Sequence, residues 1–425
     1  MRFFYFYNME IADLYKLYIQ HGLVDTDTRN IRENTIFFAL KGENFNGNKF
    51  AEEAVAKGAD FSVIDEVAYK TSENIILVED VLKTLQELAR YHRDMLGIPI
   101  ISLTGSNGKT TTKELINAVL SSKYKTTATI GNLNNHIGVP LTLLSMTAAT
   151  EIGIVEMGAN HPNEIACLSE ISNPDFGYIT NFGSAHLEGF GSLEGVVKAK
   201  SELYDFLISN EKKVFVNPED SIQLVKTTKA TVVLFNESIV YINANPFVKL
   251  SFDSLEIQSN LIGAYNFSNI AAAITIGHYF KVSKEKIKEA IENFIPSDNR
   301  SQVIDTDNNK IILDAYNANP TSMKAALESF NDLESRHKTI IIGDMFELGD
   351  YSVKEHQNIV DLATEFKFDS VFFIGEHFHK TETNYLKFLD FEELKEHLLN
   401  NPVKKSIILI KGSRGMALER IVSLC

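Results

Sequence analysis

Apolar and polar positions follow two periods along this chain, and the switches between them mark its elements. Short apolar runs at 34–40 (NTIFFAL), 61–66 (FSVIDE) and 74–80 (NIILVED) predict strands. Between the first two, NKFAEEAVAKGA at 48–59 predicts a helix closed by Gly58. Over residues 81–95, Leu82, Leu85, Leu88, Ala89 and His92 fall on one helical face, and Gly97 and Pro99 then punctuate the chain.

IPIISLTG at 98–105 reads as a buried-type strand and TTTKELINAVLSS at 110–122 as a helix. EIGIVEMG at 151–158 and DFGYITN at 175–181 are further apolar strands that end in polar residues. NFSNIAAAITIGHYF at 266–280 predicts a helix, and the pattern breaks at 293–302. Strands at 339–345, 370–376 and 406–412 then alternate with helices, which argues for a parallel sheet with helices on its faces. The expectation is an α/β protein of three modules, at residues 1–80, 81–297 and 298–425.

Composition fits that division. A chain of 425 residues exceeds one ordinary domain, and 44% hydrophobic residues supply several cores without disulfide or metal staples. The net charge of −15 disfavours nucleic acid and anionic membranes, yet leaves room for a local phosphate pocket. Cys167 and Cys425 form no CxxC and read as free thiols in a reducing compartment. The opening MRFFYFYNMEIADLYKLY lacks the apolar core and cleavage site of a signal peptide, and no later run has membrane-spanning length. A cytoplasmic protein is expected. The polar break at Asn8 leaves two initiation points open, Met1 and Met9.

The chemistry concentrates at strand ends. Gly105, Ser106, Asn107, Gly108, Lys109 and Thr110 lie between a predicted strand and a predicted helix, the context of a phosphate-binding loop. Glycines admit the phosphates, free helix N–H groups face them, Lys109 neutralises them, and the Thr110 hydroxyl suits Mg²⁺. The general pattern wants a glycine where Leu103 stands. Glu156 and His186 each follow an apolar strand, where ligands of open α/β sheets gather. Taken singly, such a Glu is more often solvated and such a His more often structural. Lys198 and Lys200 share a helix whose bland reading is a solvated face.

Many ordered blocks resemble the Mur ligase family. They are TGSNGKTTTKE at 104–114, GNLNNHIGVPLTLL at 131–144, EMGANHPNEI at 156–165, TNFGSAHLEGFGS at 180–192 and GAYNFSNIAAA at 263–273. DNRSQ at 298–302, DAYNANPTSM at 314–323, GDMFELG at 343–349 and KGSRGMALE at 411–419 continue the series. The resemblance implies a three-domain architecture with a central P-loop ATPase-like parallel sheet and a Rossmann-like C-terminal domain. YNANP with SM, together with GDM-x-ELG, resembles the branch that joins D-alanyl-D-alanine to UDP-N-acetylmuramoyl-tripeptide. The sister branch, which adds the third amino acid, typically carries a DNPR-like motif, and none occurs here.

The resemblance also implies roles. Gly105 to Thr111 (with Ser106, Asn107, Gly108, Lys109 and Thr110 between), Asn266, Asn269, Arg300 and Asp314 would bind ATP. Thr110 and Glu156 would hold one Mg²⁺, and His186 with a carbamylated Lys200 a second. Lys109, His186, Lys200 and Arg300 would be the catalytic set. Thr28, Arg29, Asn135, Tyr316, Asn317 and Asn319 would meet the substrates. Lys200 is preferred over Lys198 for its Lys-x-x-x-Tyr spacing to Tyr204. Bland alternatives are a cap at Asn269 and a simple turn at 317–320. Leu313 stands where this branch often has another Asp. A monomer without nucleic-acid or membrane partners is expected. The rivals are the sister ligase, a folate-type polyglutamate ligase and a nucleotide-operated binding switch. Against the last, Asn48-Lys49 is followed by Phe50-Ala51, not by the Asn-Lys-x-Asp of guanine readers.

Overall fold

A computed structural model describes residues 9–425. The choice of initiating methionine turns on residues 1–8, which lie outside the described residues. Four parallel strands, Val24–Asp25, Thr35–Phe38, Ala59–Ile64 and Ile75–Leu77, form the first sheet. The helix expected at 48–59 is shorter: Gly47–Phe50 is a 3₁₀ turn and the α-helix spans Ala51–Ala56. The Asn48 side chain explains the difference. It donates to Asp65 Oδ1 (2.9 Å) and accepts from Asp65 N (2.9 Å), so a strand end, and not helical bonding, fixes that turn.

The helix Val81–Leu96 follows, capped by Asp80 and stopped by Gly97 at φ +62°. Val81, Leu85, Leu88, Ala89 and His92 are buried on it, whereas Leu82 is only half-buried. Three helices surround this one, Ile11–His21, Gly138–Leu144 and Glu164–Ser172, and they rotate the covered face toward Thr84 and Arg93.

The central sheet has six parallel strands in the order Thr231–Leu234, Lys213–Val216, Phe176–Ile179, Ile100–Thr104, Ile152–Glu156, Thr126–Ala128. Every residue of Ile100–Thr104 and of Ile152–Glu156 is buried, as expected for a parallel sheet covered on both faces. An antiparallel sheet of Ile239–Ala244, Phe247–Phe252 and Leu255–Ile262 comes next, unread from the sequence. Its middle strand alternates half-buried and buried positions, the signature of a sheet with one face on a core.

The last sheet runs Gln302–Asp305, Lys310–Asp314, Ile407–Lys411, Lys338–Gly343, Ser370–Ile374, Leu386–Phe388, with only the first strand antiparallel. Leu313 is 3% exposed in its core, so an apolar side chain suits that place. Apolar contact runs without a break from Leu14 through Val155 to Ile340, so the first, central and last sheets are packed together. Among the described residues, no helix is long and apolar enough to cross a membrane.

Candidate active site

The carboxyl ends of the central strands and of the last sheet face one cavity of about 960 Å³. The loop 105–108 leaves Ile100–Thr104 and opens the helix Lys109–Ser121. Gly105 has φ +146°, and a Cβ there would lie 2.0 Å from Thr180 Oγ1. Gly108, at φ +77°, packs so closely on Asn269 that a Cβ would come within 2.7 Å of its Oδ1. Both glycines are thus required by backbone shape and by neighbours. Asn181, at the end of the next strand, holds the loop from both sides: it accepts from Asn107 N (3.0 Å) and donates to Asn107 O (2.9 Å).

Lys109 turns back over its own loop and donates to Gly105 O (2.8 Å) and Ser106 O (3.4 Å). Burial lowers its pKa, the Glu156 carboxylate opposes that shift, and the Arg300 charge adds to it. Lys109 thus feels the charges of Glu156 and Arg300, the two groups the resemblance places at metal and phosphate.

Glu156 is 1% exposed, which rules out the solvated alternative. Its Oε1 accepts from Asn134 Nδ2 (2.8 Å), while Oε2 is buried without a partner. A buried carboxylate oxygen left unpaired is costly, and a hard cation is the group that would satisfy it. Thr110 lines the same cavity. Among the described residues no three His, Cys, Asp or Glu side chains cluster as a cage.

His186 faces the cavity with φ +53°, and its Nδ1 lies against the Glu347 carboxylate. Lys200 is fully buried and Lys198 exposed. The Lys200 amine donates to Ala159 O (3.3 Å) and lies over the Phe190 ring. Burial, with help from Lys109, holds its pKa well below the usual lysine value, so the neutral amine is accessible. Lys200 itself does not line the cavity; Ala159 stands between.

Asn269 does not cap a helix. It lies inside Asn266–Tyr279, accepts from Thr112 Oγ1 (3.0 Å) and donates to Asn266 Oδ1 (2.8 Å), tying two helices at the cavity wall. Arg300 stacks its guanidinium 3.5 Å from the Tyr316 ring centre, and its Nε is buried without a partner. Asp314 accepts from Ser301 N (3.1 Å) and pairs with Lys411 Nζ at 2.6 Å. The two are register neighbours at the ends of parallel strands. Asn319 caps the helix Pro320–Asp332, accepting from Ser322 N (2.9 Å), so residues 317–320 lead into a helix and do not form a simple turn. It also donates to Asn107 Oδ1 at 2.7 Å.

One cavity thus gathers Ser106 to Thr111, Asn135, Glu156, His186, Asn266, Asn269, Arg300, Asp314, Tyr316 and Asn317. Gly105, Lys200 and Asn319 stand behind its wall. Thr28 and Arg29 belong elsewhere, on the first module, where Arg29 is exposed and bound to Asp27. Asn135 spends its Oδ1 on the N–H groups of Ile137 and Gly138. The sequence reading missed Asn134, Asn181, Glu347 and Lys411. All four lie inside quoted blocks as ordinary polar residues, and Lys411 gains a meaning only once strand register sets it beside Asp314.

Comparison with known proteins agrees with this geometry. Three family descriptions match in order: "Mur ligase family, catalytic domain" at 22–93, "Mur ligase middle domain" at 103–277 and "Mur ligase, glutamate ligase domain" at 299–414. The chain is 36% identical to UDP-N-acetylmuramoyl-tripeptide--D-alanyl-D-alanine ligase of Bacillus subtilis, over 96% of this chain and 93% of that one. A crystal structure of MurF from Acinetobacter baumannii superposes with TM-score 0.85 at 30% identity, covering 94% and 92% of the two chains. MurF from Thermotoga maritima, solved with ADP, superposes with TM-score 0.84 at 26% identity, covering 95% and 96%. The phosphate loop, the cavity between modules and these full-length matches lead to one conclusion: the chain belongs to the Mur ligase family.

Proposed function

We propose that this chain joins D-alanyl-D-alanine to UDP-N-acetylmuramoyl-tripeptide, converting ATP to ADP and phosphate. The relatives named for that reaction support the substrate pair. The observation that carries the reading is the single cavity in which the phosphate loop, the unpaired Glu156 oxygen and Arg300 face one another. The modules behind it are those of residues 1–80, 81–297 and 298–425.

A carboxylate does not acylate an amine because oxide is too poor a leaving group. Transfer of the ATP γ-phosphoryl group to the tripeptide carboxylate gives an acyl phosphate and ADP. The dipeptide amine, having lost a proton, attacks the acyl carbon; phosphate leaves and the amide remains. No enzyme nucleophile is needed, so the protein's work is positioning and charge stabilisation. Lys109 moves from its loop carbonyls to the phosphates, and Arg300 approaches the transferring group from the other module. Asn266 and Asn269 form the wall at the adenine. Thr110 and Glu156 would hold one Mg²⁺, and His186 with a carbamylated Lys200 would hold a second. The metal supplies charge neutralisation of the transferring oxygens. The Lys200 carbamate forms when its neutral nitrogen attacks CO₂ and loses a proton. Thr28 and Arg29, distant from the cavity, hold the UDP end. Cys167 and Cys425 are unpaired, which suits the reducing cytoplasm where such precursors are made.

The test is an assay of the purified full-length chain with ATP and Mg²⁺. The expected result is one ADP and one phosphate per amide, only with tripeptide precursor and D-alanyl-D-alanine together. Turnover with a dipeptide precursor and a single amino acid would assign the sister reaction instead. ADP release without amide would refute ligase activity.

A further inference from the structure

The turn 344–349 reaches from the last module onto the segment that carries His186. It is anchored from behind. Asp344, 2% exposed, accepts from His377 N and Phe378 N at 3.0 Å each. Met345 N donates to His356 Nε2 (3.0 Å), and Phe346 N donates to Ser413 Oγ (2.9 Å). Glu347 thus stands on a fixed support, at φ +61°. In front, Glu347 O accepts from Glu188 N (3.2 Å), and Tyr351 OH donates to Gly191 O (3.3 Å).

The Glu347 carboxylate lies against His186 Nδ1, which is buried with no other partner, and Phe190 meets the ring edge-on. A carboxylate on one ring nitrogen fixes the tautomer and leaves the other as the electron-pair donor. Histidines that ligate metals commonly have such a partner. Here the partner comes from another module than the histidine.

We propose that Glu347 is a positioning residue: docking of the last module seats its carboxylate on His186, orienting the free ring nitrogen for the second Mg²⁺. This rests on the reading of His186 as a metal ligand. If Glu347 merely fastened two modules together, its exposed side chain would matter little, and metal affinity would not depend on it.

Binding of Mn²⁺, a visible stand-in for Mg²⁺, to the full chain with a non-hydrolysable ATP analogue separates these cases by electron paramagnetic resonance. Wild-type protein is expected to show a tighter and a weaker class. Glu347→Gln raises the weaker Kd at least about tenfold, the usual cost of losing such a partner, and leaves the tighter one unchanged. Tyr351→Phe, which loosens the same docking surface without touching His186, changes neither. His186→Ala removes the weaker class. Unchanged affinities in Glu347→Gln, with the weaker class lost in His186→Ala, overturn the role of Glu347 alone. A single class in wild-type protein, or both classes intact in His186→Ala, overturns the metal reading and this inference with it.

Discussion

Asn107 and Asn319 meet amide to amide across two modules, with Asn319 Nδ2 2.7 Å from Asn107 Oδ1 and Asn107 Nδ2 3.4 Å from Asn319 Oδ1. One residue belongs to the phosphate loop, and the other caps the helix Pro320–Asp332. The last module therefore touches the phosphate loop directly. Ser184 N, donating to Thr321 Oγ1 at 2.9 Å, adds a second point of contact beside it.

Asn319 has two jobs that one substitution separates. Serine also caps helices but is too short to reach Asn107. Asn319→Ser is expected to keep thermal stability and lose about tenfold or more in kcat/KM. Asn319→Ala should lose activity and about 1 kcal/mol of stability as well. Phosphate release and thermal melting read the two effects; full activity in Asn319→Ser would count against the bridge.

Lys109→Ala should separate function from stability in the opposite sense. The ammonium is held in a site that disfavours its charge, as its lowered pKa indicates. Its removal is expected to cut ATP-dependent turnover by at least about 10²–10³, as for loss of a main transition-state donor. The melting temperature should stay level or rise. A variant that unfolds at lower temperature would mean the lysine braces the empty loop.

Lys411 and Asp314 should behave as a coupled pair. Lys411 is 2% exposed, so removing its partner or itself strands a charge. Lys411→Met is expected to cost about 2–3 kcal/mol, below the range for a fully buried pair because Asp314 retains some solvent. Adding Asp314→Asn should recover much of that loss. Denaturant unfolding of both singles and the double completes the cycle, and additive losses would mean the pair is not coupled.

His92 gives the fold a pH dependence. Burial among Tyr15, Tyr18 and Met146 O lowers its pKa, although the contact to Met146 O opposes this. The unfolded chain therefore takes up a proton near the ordinary value of about 6.5, while the folded chain resists it. Stability is complete above that value and falls as pH drops toward the folded pKa. Melting temperature should decline from pH 7.5 to 5.5 by less in His92→Gln than in wild-type protein. Equal declines would place the dependence on other groups.

The chain's order of apolar runs and glycine turns determined the parallel sheets, the phosphate loop, the strand-end position of Glu156 and the place of His186 in the loop after the next strand. Those features are local: a strand, a tight turn and a helix start are written in consecutive residues. Residue chemistry alone did not separate Lys200 from Lys198; the resemblance to the Mur ligases preferred Lys200, and the structure buries that amine while leaving Lys198 exposed. The sheet of 239–262 escaped because its alternation competes with exposed apolar positions such as Val240 and Ile242. Only the tertiary structure decided that Glu347 meets His186, that Lys411 neutralises Asp314 and that Asn319 reaches Asn107. Each pair joins segments far apart in the chain, and no local periodicity encodes which polar side chain will stand opposite another once modules dock.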